Sequence, residues 1–296
     1  MEYVATIGMF DGVHRGHQFV LQHVVREARE RGMLSMAVTF DRTADQTLTP
    51  LAVKRQLLAA AGIDRIEVLP FTDALKRMTA REFMEQVLRD RFSVKVLLTG
   101  YDNRFGHNRA EGFDDYVRYG AELGMEVRCL PPLPTDSPQT TTVSSSLIRQ
   151  LLLDGQVAEA ARCLGRDYTL TGCVTHGEHI GTQIGFPTAN IVPDSSHQLL
   201  PAPGAYAVTV CVEGIGEKWN GMMNIGSRPT FDGHQQTLEV NIFGFHDDLY
   251  GRRVVVSFVE RLRSEQRFDS VEALQEQLKK DALRAEQLIE RRKDEE

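Results

Sequence analysis

The sequence lacks the features of a membrane protein, a secreted protein or a nucleic-acid coat. No run approaches the ~18 apolar residues of a transmembrane helix, and the first residues lack the basic-then-apolar pattern of a signal peptide. The 34 Lys and Arg residues are outnumbered by 41 Asp and Glu, a formal net charge of −7, so we expect no nucleic-acid and no membrane partner. The four cysteines are scattered without a C-x-x-C pair, which argues against zinc and redox motifs and predicts a cytoplasmic location.

The first half of the chain predicts an α/β domain. Short apolar strands alternate with amphipathic helices, the pattern of a doubly wound parallel sheet. The strand candidates are 3–9, 34–40, 65–71, 94–100 and 125–130. A helix over 79–91 starts with a capping-box pattern at Thr79 and Glu82. A proline-rich loop at 131–142 and two short helices, which end at Gly155 and Gly165, complete this half.

The second half predicts an all-β domain. Five strand candidates follow one another without intervening helices, as in a small antiparallel barrel or sandwich. They are 170–176, 205–212, 219–226, 237–245 and 253–262. The chain closes with a helix from Ser270 to about Ile289, with Asp269 as a suitable N-cap and Val271 at the start of its apolar stripe. The change of pattern predicts two domains, residues 1–165 and 166–296.

Residues 8–17, which join the first strand to a helix, form the first candidate site. His14 and His17 are three apart on the first helical turn, so their side chains can point the same way, and Gly16 lets a ligand approach the backbone. The start of a helix attracts anions, so this pattern favours phosphate binding. A tight turn with two surface histidines is an equal alternative from these residues alone. No P-loop motif, G-x-x-x-x-G-K-[ST], is present, which disfavours a P-loop kinase.

Residues 185–190, Gly-Phe-Pro-Thr-Ala-Asn, form the second candidate site. Thr188 and Asn190 are two apart and face one side of an extended segment. A hydroxyl and an amide oxygen are hard ligands suited to Mg²⁺. A simple turn stabilised by these side chains is the favoured alternative when Pro-Thr-Ala-Asn at 187–190 is taken alone.

Several segments, taken together and in their order along the chain, resemble a known family. The string G-x-F-D-G-V-H-x-G-H-Q at 8–18, the G-x-D-x-x-F-G segment within 97–112, V-S-S-S-L-I-R at 143–149 and G-F-P-T-A-N at 185–190 resemble the bifunctional bacterial riboflavin kinase/FAD synthetase family. The resemblance implies a nucleotidylyltransferase domain followed by a six-stranded Greek-key barrel with a C-terminal helix. It implies that riboflavin and ATP give FMN, and that FMN and ATP give FAD and pyrophosphate. Mg²⁺ is the implied cofactor, and the expected protein is a monomer or weak homo-oligomer.

The resemblance also implies the site residues. For adenylylation these are Gly8, Phe10, Asp11, His14, His17, Asp102, Ser145 and Arg149, with the two histidines catalytic. For the kinase these are Gly185, Pro187, Thr188, Asn190, Asn224 and Arg263, with Thr188 and Asn190 on the metal and Glu239 as the catalytic base. Simple helix capping by Ser144–Ser146, a solvent-facing Glu239 and a surface Arg263 remain open alternatives.

Three departures from the family pattern support other functions. Residues 41–45 replace a Pro-His-Pro-like segment, Asn103 stands where many members have an aromatic residue, and Thr182 stands where many have a basic one. One alternative is therefore a riboflavin kinase whose N-terminal domain is weakened or only binds flavin. A separate alternative, against which the G-F-P-T-A-N segment argues, is a nucleotidylyltransferase for a different substrate, with the barrel as a specificity module. Phe105 and Gly106 match the family pattern.

Overall fold

A computed structural model describes residues 1–41, 45–134, 142–176, 185–230 and 233–295, apart from the side chains of residues 227–230, 233–235 and 295. The chain divides into two compact units, Met1–Ser145 and Ser146–Glu296. The predicted boundary after residue 165 differs from this division by the two short helices, and it stays a prediction. No helix among the described residues is long and apolar enough to cross a membrane.

A five-stranded parallel sheet forms the centre of the first unit, as predicted. Its strands are β1 (Tyr3–Ile7), β2 (Leu34–Asp41), β3 (Arg65–Pro70), β4 (Val94–Gly100) and β5 (Glu126–Leu130). They lie in the order β3-β2-β1-β4-β5, and every neighbouring pair is parallel. The chain leaves β1 towards β2 on one side, whereas β4 pairs with β1 on the other. The carboxyl end of β1 is therefore the switch point at which open parallel sheets bind ligands.

Helices cover both faces of this sheet. They are α1 (Arg15–Arg31), α2 (Leu51–Ala60), α3 (Asp73–Arg77), α4 (Ala80–Glu82, continued as a π-helix over Phe83–Arg91) and α5 (Phe113–Leu123), with a 3₁₀ turn at His107–Arg109. Alternate residues of β1 enter two separate cores: Val4 packs with Leu21 and Val24 of α1, while Ala5 and Ile7 pack on the opposite face. The predicted capping box is present, since Thr79 and Glu82 exchange hydrogen bonds.

The second unit contains two short helices and a closed six-stranded antiparallel barrel. The helices are α6 (Ser145–Leu153) and α7 (Val157–Leu164). The strands are β6 (Tyr168–Thr175), β7 (Ala189–Pro193), β8 (Gly204–Val212), β9 (Lys218–Thr230), β10 (Gly233–Ile242) and β11 (Arg253–Ser264), in the order β10-β7-β6-β11-β8-β9. In β6 every second residue is buried, which fits strands that face the barrel interior with one side. Strand β7 was not among the five candidates.

The last helix, α8 (Val271–Glu295), covers part of the outside of the barrel. Ala285 and Ile289 form a second core there with Ala205, Ala207 and Met222. This cover explains why nearly every residue of β8 is buried although a barrel strand has only one inner face.

Two details of α8 differ from the sequence expectation. The side chain of Ser270, rather than Asp269, accepts the hydrogen bond from the Ala273 N–H at 3.1 Å, so Ser270 is the N-cap. Val271 is 55% exposed and does not join the apolar stripe. The apolar packing of the helix starts one turn or more later, at Leu278, Ala282 and Ala285.

Candidate active sites

The turn between β1 and α1 has a strained backbone. Phe10, Gly12 and Val13 have φ angles of 49°, 84° and 38°. Positive φ is unusual for a β-branched residue and costs on the order of 1–3 kcal/mol, so it persists only where the surroundings impose it. The Val13 N–H closes the turn on the Phe10 carbonyl at 3.2 Å. A Cβ at Gly8 would lie 3.2 Å from the Phe10 ring, so a side chain there would push this ring aside.

Hydrogen bonds from two other segments hold this turn. The Asp11 Oδ1 accepts from the backbone N–H groups of Leu48 and Thr49 at 3.0 and 3.2 Å, and Thr49 Oγ1 accepts from the Gly12 N–H at 2.9 Å. Ser145, the first residue of α6, donates its hydroxyl to the Asp11 carbonyl at 2.8 Å. The structure therefore brings Asp11 and Ser145 together and gives both a structural contact. Their expected roles at ATP stay predictions.

The two histidines of the turn lie against each other. Their rings stack with centroids 3.7 Å apart and planes 19° apart. The Phe10 ring lies at 75° to the His17 ring, with their centroids 5.3 Å apart. His14 is the N-cap of α1, with Nδ1 accepting from the His17 N–H at 3.4 Å. A side chain at Gly16 would meet the His14 ring at 3.2 Å. His14 is 6% exposed, so the alternative of two surface histidines does not describe this turn.

His17 is held in its neutral form at neutral pH. Burial lowers the pKa of its imidazole well below the usual value, and the nearby His14 and Lys54 lower it further. Its Nδ1 atom is buried and has no hydrogen-bond partner within the described parts of the chain. His14 has a defined tautomer when neutral: because Nδ1 accepts a hydrogen bond, the proton lies on Nε2. The turn therefore offers imidazole N–H groups rather than two positive charges.

The end of β4 contributes further residues to the same edge of the sheet. Asn103 donates its side-chain amide to the carbonyl of Ile7, the last residue of β1. An aromatic side chain does not make this contact, so the departure at Asn103 has a structural role. Asp102 is exposed in the turn after β4, and its ATP role stays a prediction. Phe105 is buried and stacks on Tyr116 at 4.2 Å.

One buried residue of this unit was missed by the sequence analysis. Lys54 in α2 is 6% exposed, and its ammonium group lies at the ends of β1 and β2. The available signal was its spacing, since Lys54 is four residues before the buried Leu58 and so shares its helix face. Of the departure at residues 41–45, Asp41 ends β2, whereas residues 42–44 lie outside the described residues, as does Thr182.

In the second unit, strand pairing brings four predicted kinase residues together. Glu239 of β10 lies directly opposite Asn190 of β7 on one side and Asn224 of β9 on the other. Directly paired residues point to the same face of a sheet, so the three polar side chains are neighbours. Thr188, just before β7, donates its hydroxyl to Glu239 Oε2 at 3.5 Å. Sequence alone showed none of these contacts, because they depend on register.

This group of residues lies on the outer face of the barrel. Leu238 and Val240 are 4% and 1% exposed and point inward, so Glu239 points outward. The outer face is covered at this point, because Asn241 is 7% exposed and donates its amide to the Pro187 carbonyl at 2.6 Å. Glu239 itself is half-buried. The alternative of a solvent-facing strand glutamate therefore does not fit. Gly185, where the segment starts, is exposed with a φ of 80°.

Arg263 is placed by α8. Its Nε donates to Asp281 Oδ2 at 2.8 Å, and the guanidinium lies 5.4 Å from the Phe268 ring centroid. Asp281 also accepts from Gln277 at 2.8 Å, and the ion-pair side chains are only 17% and 5% exposed. Arg263 is thus a half-buried link between barrel and helix, and its expected contact with nucleotide or flavin stays a prediction. Arg149 is half-buried on α6, and its role stays a prediction too.

The residues around Glu239 fit a magnesium ion better than a transition metal. Among the described residues, no three His, Cys, Asp or Glu side chains are grouped as a metal site. The oxygens of Thr188 and Asn190, next to the Glu239 carboxylate, are the hard donors that Mg²⁺ uses when phosphates and water complete its shell.

Comparisons with known proteins place each unit in a family. Residues 1–147 match the family model for FAD synthetase, and residues 164–289 match the model for riboflavin kinase. The bifunctional riboflavin kinase/FMN adenylyltransferase of Pseudomonas fluorescens is 38% identical over 294 residues, covering 96% of this chain and 92% of the relative. The chain belongs to the bifunctional riboflavin kinase/FMN adenylyltransferase family. The members from Escherichia coli K12 (37% identical, 97% of this chain and 92% of the relative) and Bacillus subtilis (32%, 95% and 91%) show the same extent.

A solved structure shows the same fold. The crystal structure of a macrolide-efflux protein from Streptococcus pneumoniae superposes with a TM-score of 0.86 at 32% identity, covering 95% of this chain and 92% of that chain. The parallel sheet and the barrel of this chain are therefore an arrangement that a solved structure shares.

Membership of this family gives the activity of the chain. It is a riboflavin kinase and FMN adenylyltransferase, which uses ATP to make FMN from riboflavin and FAD from FMN. The alternative of a kinase with a silent N-terminal domain is not favoured, since residues 1–147 match FAD synthetase and the relatives are bifunctional. Transfer of a nucleotide to a different substrate is not favoured for the same reason.

Proposed function

We propose that each reaction has its own site, with the His14–His17 turn adenylylating FMN and Glu239 acting as the base in riboflavin phosphorylation. The single observation that carries this proposal is the location of the two residue groups in two separate compact units. We keep the domain assignment 1–165 for the adenylyltransferase and 166–296 for the kinase as part of the same proposal.

In the adenylyltransferase, a phosphate oxygen of FMN would attack the α-phosphorus of ATP. A new P–O–P linkage forms, the bond from the α-phosphorus to the bridging oxygen breaks, and pyrophosphate leaves with that oxygen's electron pair. The chain has to stabilise charge on phosphate oxygens rather than form a covalent intermediate. The rings of His14 and His17 would donate to the phosphate oxygens, and the start of α1 would add a favourable dipole. Ser145 and Arg149 are the remaining residues expected to bind ATP in this reaction.

In the kinase, the terminal ribityl hydroxyl of riboflavin would attack the γ-phosphorus of ATP, and ADP would leave. Glu239 would take the proton from that hydroxyl. The Thr188 hydroxyl donates to the carboxylate, and Asn190 and Asn224 are its neighbours on the adjacent strands. Gly185 and Pro187 would bring backbone close to the phosphates, and Arg263 would add a fixed cation.

Thr188 and Asn190 would hold Mg²⁺ in this site. When bound, the ion supplies positive charge that neutralises the ATP phosphates. We expect Asn190→Ala to raise the Mg²⁺ concentration for half-maximal FMN formation by roughly tenfold or more, as loss of a group at a metal site does. Initial rates over a Mg²⁺ titration measure this shift.

The matched control is Asn220→Ala, which removes a half-buried asparagine near the start of β9, outside the group around Glu239. It is expected to leave the Mg²⁺ dependence unchanged, and FAD formation from supplied FMN should be normal in both variants. A wild-type Mg²⁺ dependence in Asn190→Ala would remove Asn190 as a ligand.

The remaining expectations concern the state of the protein in the cell. Riboflavin, FMN and ATP are its small-molecule partners. A cytoplasmic location, a monomeric or weakly associated state and the lack of nucleic-acid partners stay predictions.

A further inference from the structure

Lys54 is a buried cation that neither proposed reaction uses. It lies one turn into α2 and is 6% exposed, on the same helix face as the fully buried Leu58. Burying a charge is costly, and an apolar side chain at such a position is often as stable or more so. A lysine here therefore needs a reason other than packing.

The ammonium group of Lys54 joins two segments at the carboxyl edge of the sheet. Its Nζ donates to the carbonyls of Met9 and Phe40, both at 3.2 Å. Met9 belongs to the strained turn after β1, and Phe40 is near the end of β2. Thr39 Oγ1 also donates to the Met9 carbonyl at 3.2 Å, so this carbonyl is held from two directions. Lys54 thus ties the turn that precedes His14 to the neighbouring strand.

The charge of Lys54 also reaches the histidine pair. Burial lowers the pKa of the Lys54 ammonium, and the carboxylates of Asp11 and Asp41 partly offset this shift. The same positive charge is one of the causes that lower the pKa of His17, after burial and His14. Lys54 is therefore electrostatically coupled to the ring that is proposed to bind phosphate.

We propose that Lys54 is a positioning residue for FMN adenylylation. Its ammonium group fixes the turn between β1 and α1 against β2 and adds positive potential at the phosphate site. The proposal rests on the assignment of adenylylation to the His14–His17 turn. Lys54 contacts backbone carbonyls, so its effect on the reaction passes through the turn and through the local potential rather than through the reacting atoms.

Two variants and one control test this role. Lys54→Met removes the charge and both hydrogen bonds but keeps an unbranched apolar stem, and Lys54→Gln keeps a donor without the charge. Arg55→Met removes an exposed cation from the next position of the same helix. We expect Lys54→Met to lower kcat/KM for ATP in FAD formation by about 100-fold, since small misplacements of binding groups have effects of this size. Lys54→Gln should show a smaller loss, and Arg55→Met none.

Riboflavin phosphorylation in the same preparations is an internal check, because it is assigned to the other unit and should be unchanged. The second readout is the NMR titration of the His17 imidazole, assigned by its absence in His17→Gln. The pKa of His17 should be higher in both Lys54 variants than in the wild type, because a positive neighbour has been removed. A residue that only packs α2 would not move this titration.

The outcomes separate the two proposals. Wild-type kcat/KM and a wild-type His17 titration in folded Lys54→Gln would overturn the role of Lys54. If Lys54→Met does not fold, Lys54→Gln alone decides, by the same two readouts. If His17→Ala retains full FAD synthesis, the site assignment itself is wrong, whatever the Lys54 variants do.

Discussion

Replacing Glu239 with glutamine is expected to slow FMN formation from riboflavin by about 100- to 10,000-fold, the usual contribution of a general base. Glutamine keeps the size of the side chain and a hydrogen-bonding oxygen for Thr188, but it does not take up the proton of the attacking hydroxyl. Adenylylation of supplied FMN should be unaffected, because that reaction is assigned to the other unit. Separating riboflavin, FMN and FAD by chromatography over a time course with Mg-ATP measures both rates.

The control for this variant is Glu213→Gln, which changes an exposed glutamate just after β8. Both rates should match the wild type. Retained kinase activity in Glu239→Gln would show that Glu239 is not the base, and a parallel loss of both activities would show that the substitution disturbs more than the barrel.

Replacing His17 with alanine is expected to have the converse effect. FAD formation from supplied FMN should fall by about 100- to 1,000-fold, as when one preorganised donor is removed from a site where charge develops. The change also removes the ring on which His14 stacks at 3.7 Å, so the His14 donor loses its support. Formation of FMN from riboflavin should continue at the wild-type rate.

His23→Ala provides a matched control, because His23 lies on the same helix and contacts the Phe19 carbonyl rather than the turn. It should leave both activities unchanged. A loss of FMN and FAD formation to the same extent in His17→Ala would contradict separate sites, and full FAD formation would remove His17 from the mechanism.

The sequence predicted the central strands β1, β2 and β4 well because they are largely buried on both faces. Residues 94–100, for example, are nearly all apolar and form β4 with the predicted bounds. Strand β7 was missed because it is short, starts with Ala189 and Asn190 and ends at Pro193, so it has little β propensity of its own. It is a strand because Glu239 and Val240 of β10 pair with it.

The two sites differ in how much the sequence revealed of their geometry. The His14–His17 site is local, since a single turn of helix brings both rings together, and the spacing of the residues was enough to suggest it. The group around Glu239 depends on the register of three strands and on what covers the barrel. Alternation in β10 showed that Glu239 points away from the core, but not that this face is covered.

Lys54 and Asp281 show a further limit of the sequence. Both are charged residues in helices, and such residues are usually exposed. Their burial is set by partners far along the chain: the carbonyls of Met9 and Phe40 for Lys54, and Arg263 for Asp281. The position of each within an apolar face was visible, but its partner was not.

Mixing His17→Ala with Glu239→Gln, each of which is expected to keep one activity, tests most directly whether each unit performs one reaction at its own site. His17→Ala given riboflavin and Mg-ATP should stop at FMN, and Glu239→Gln should leave riboflavin unchanged. The mixture of both proteins should form FAD, because FMN released by the first is adenylylated by the second. A mixture that stops at FMN, although Glu239→Gln adenylylates supplied FMN, would contradict this account.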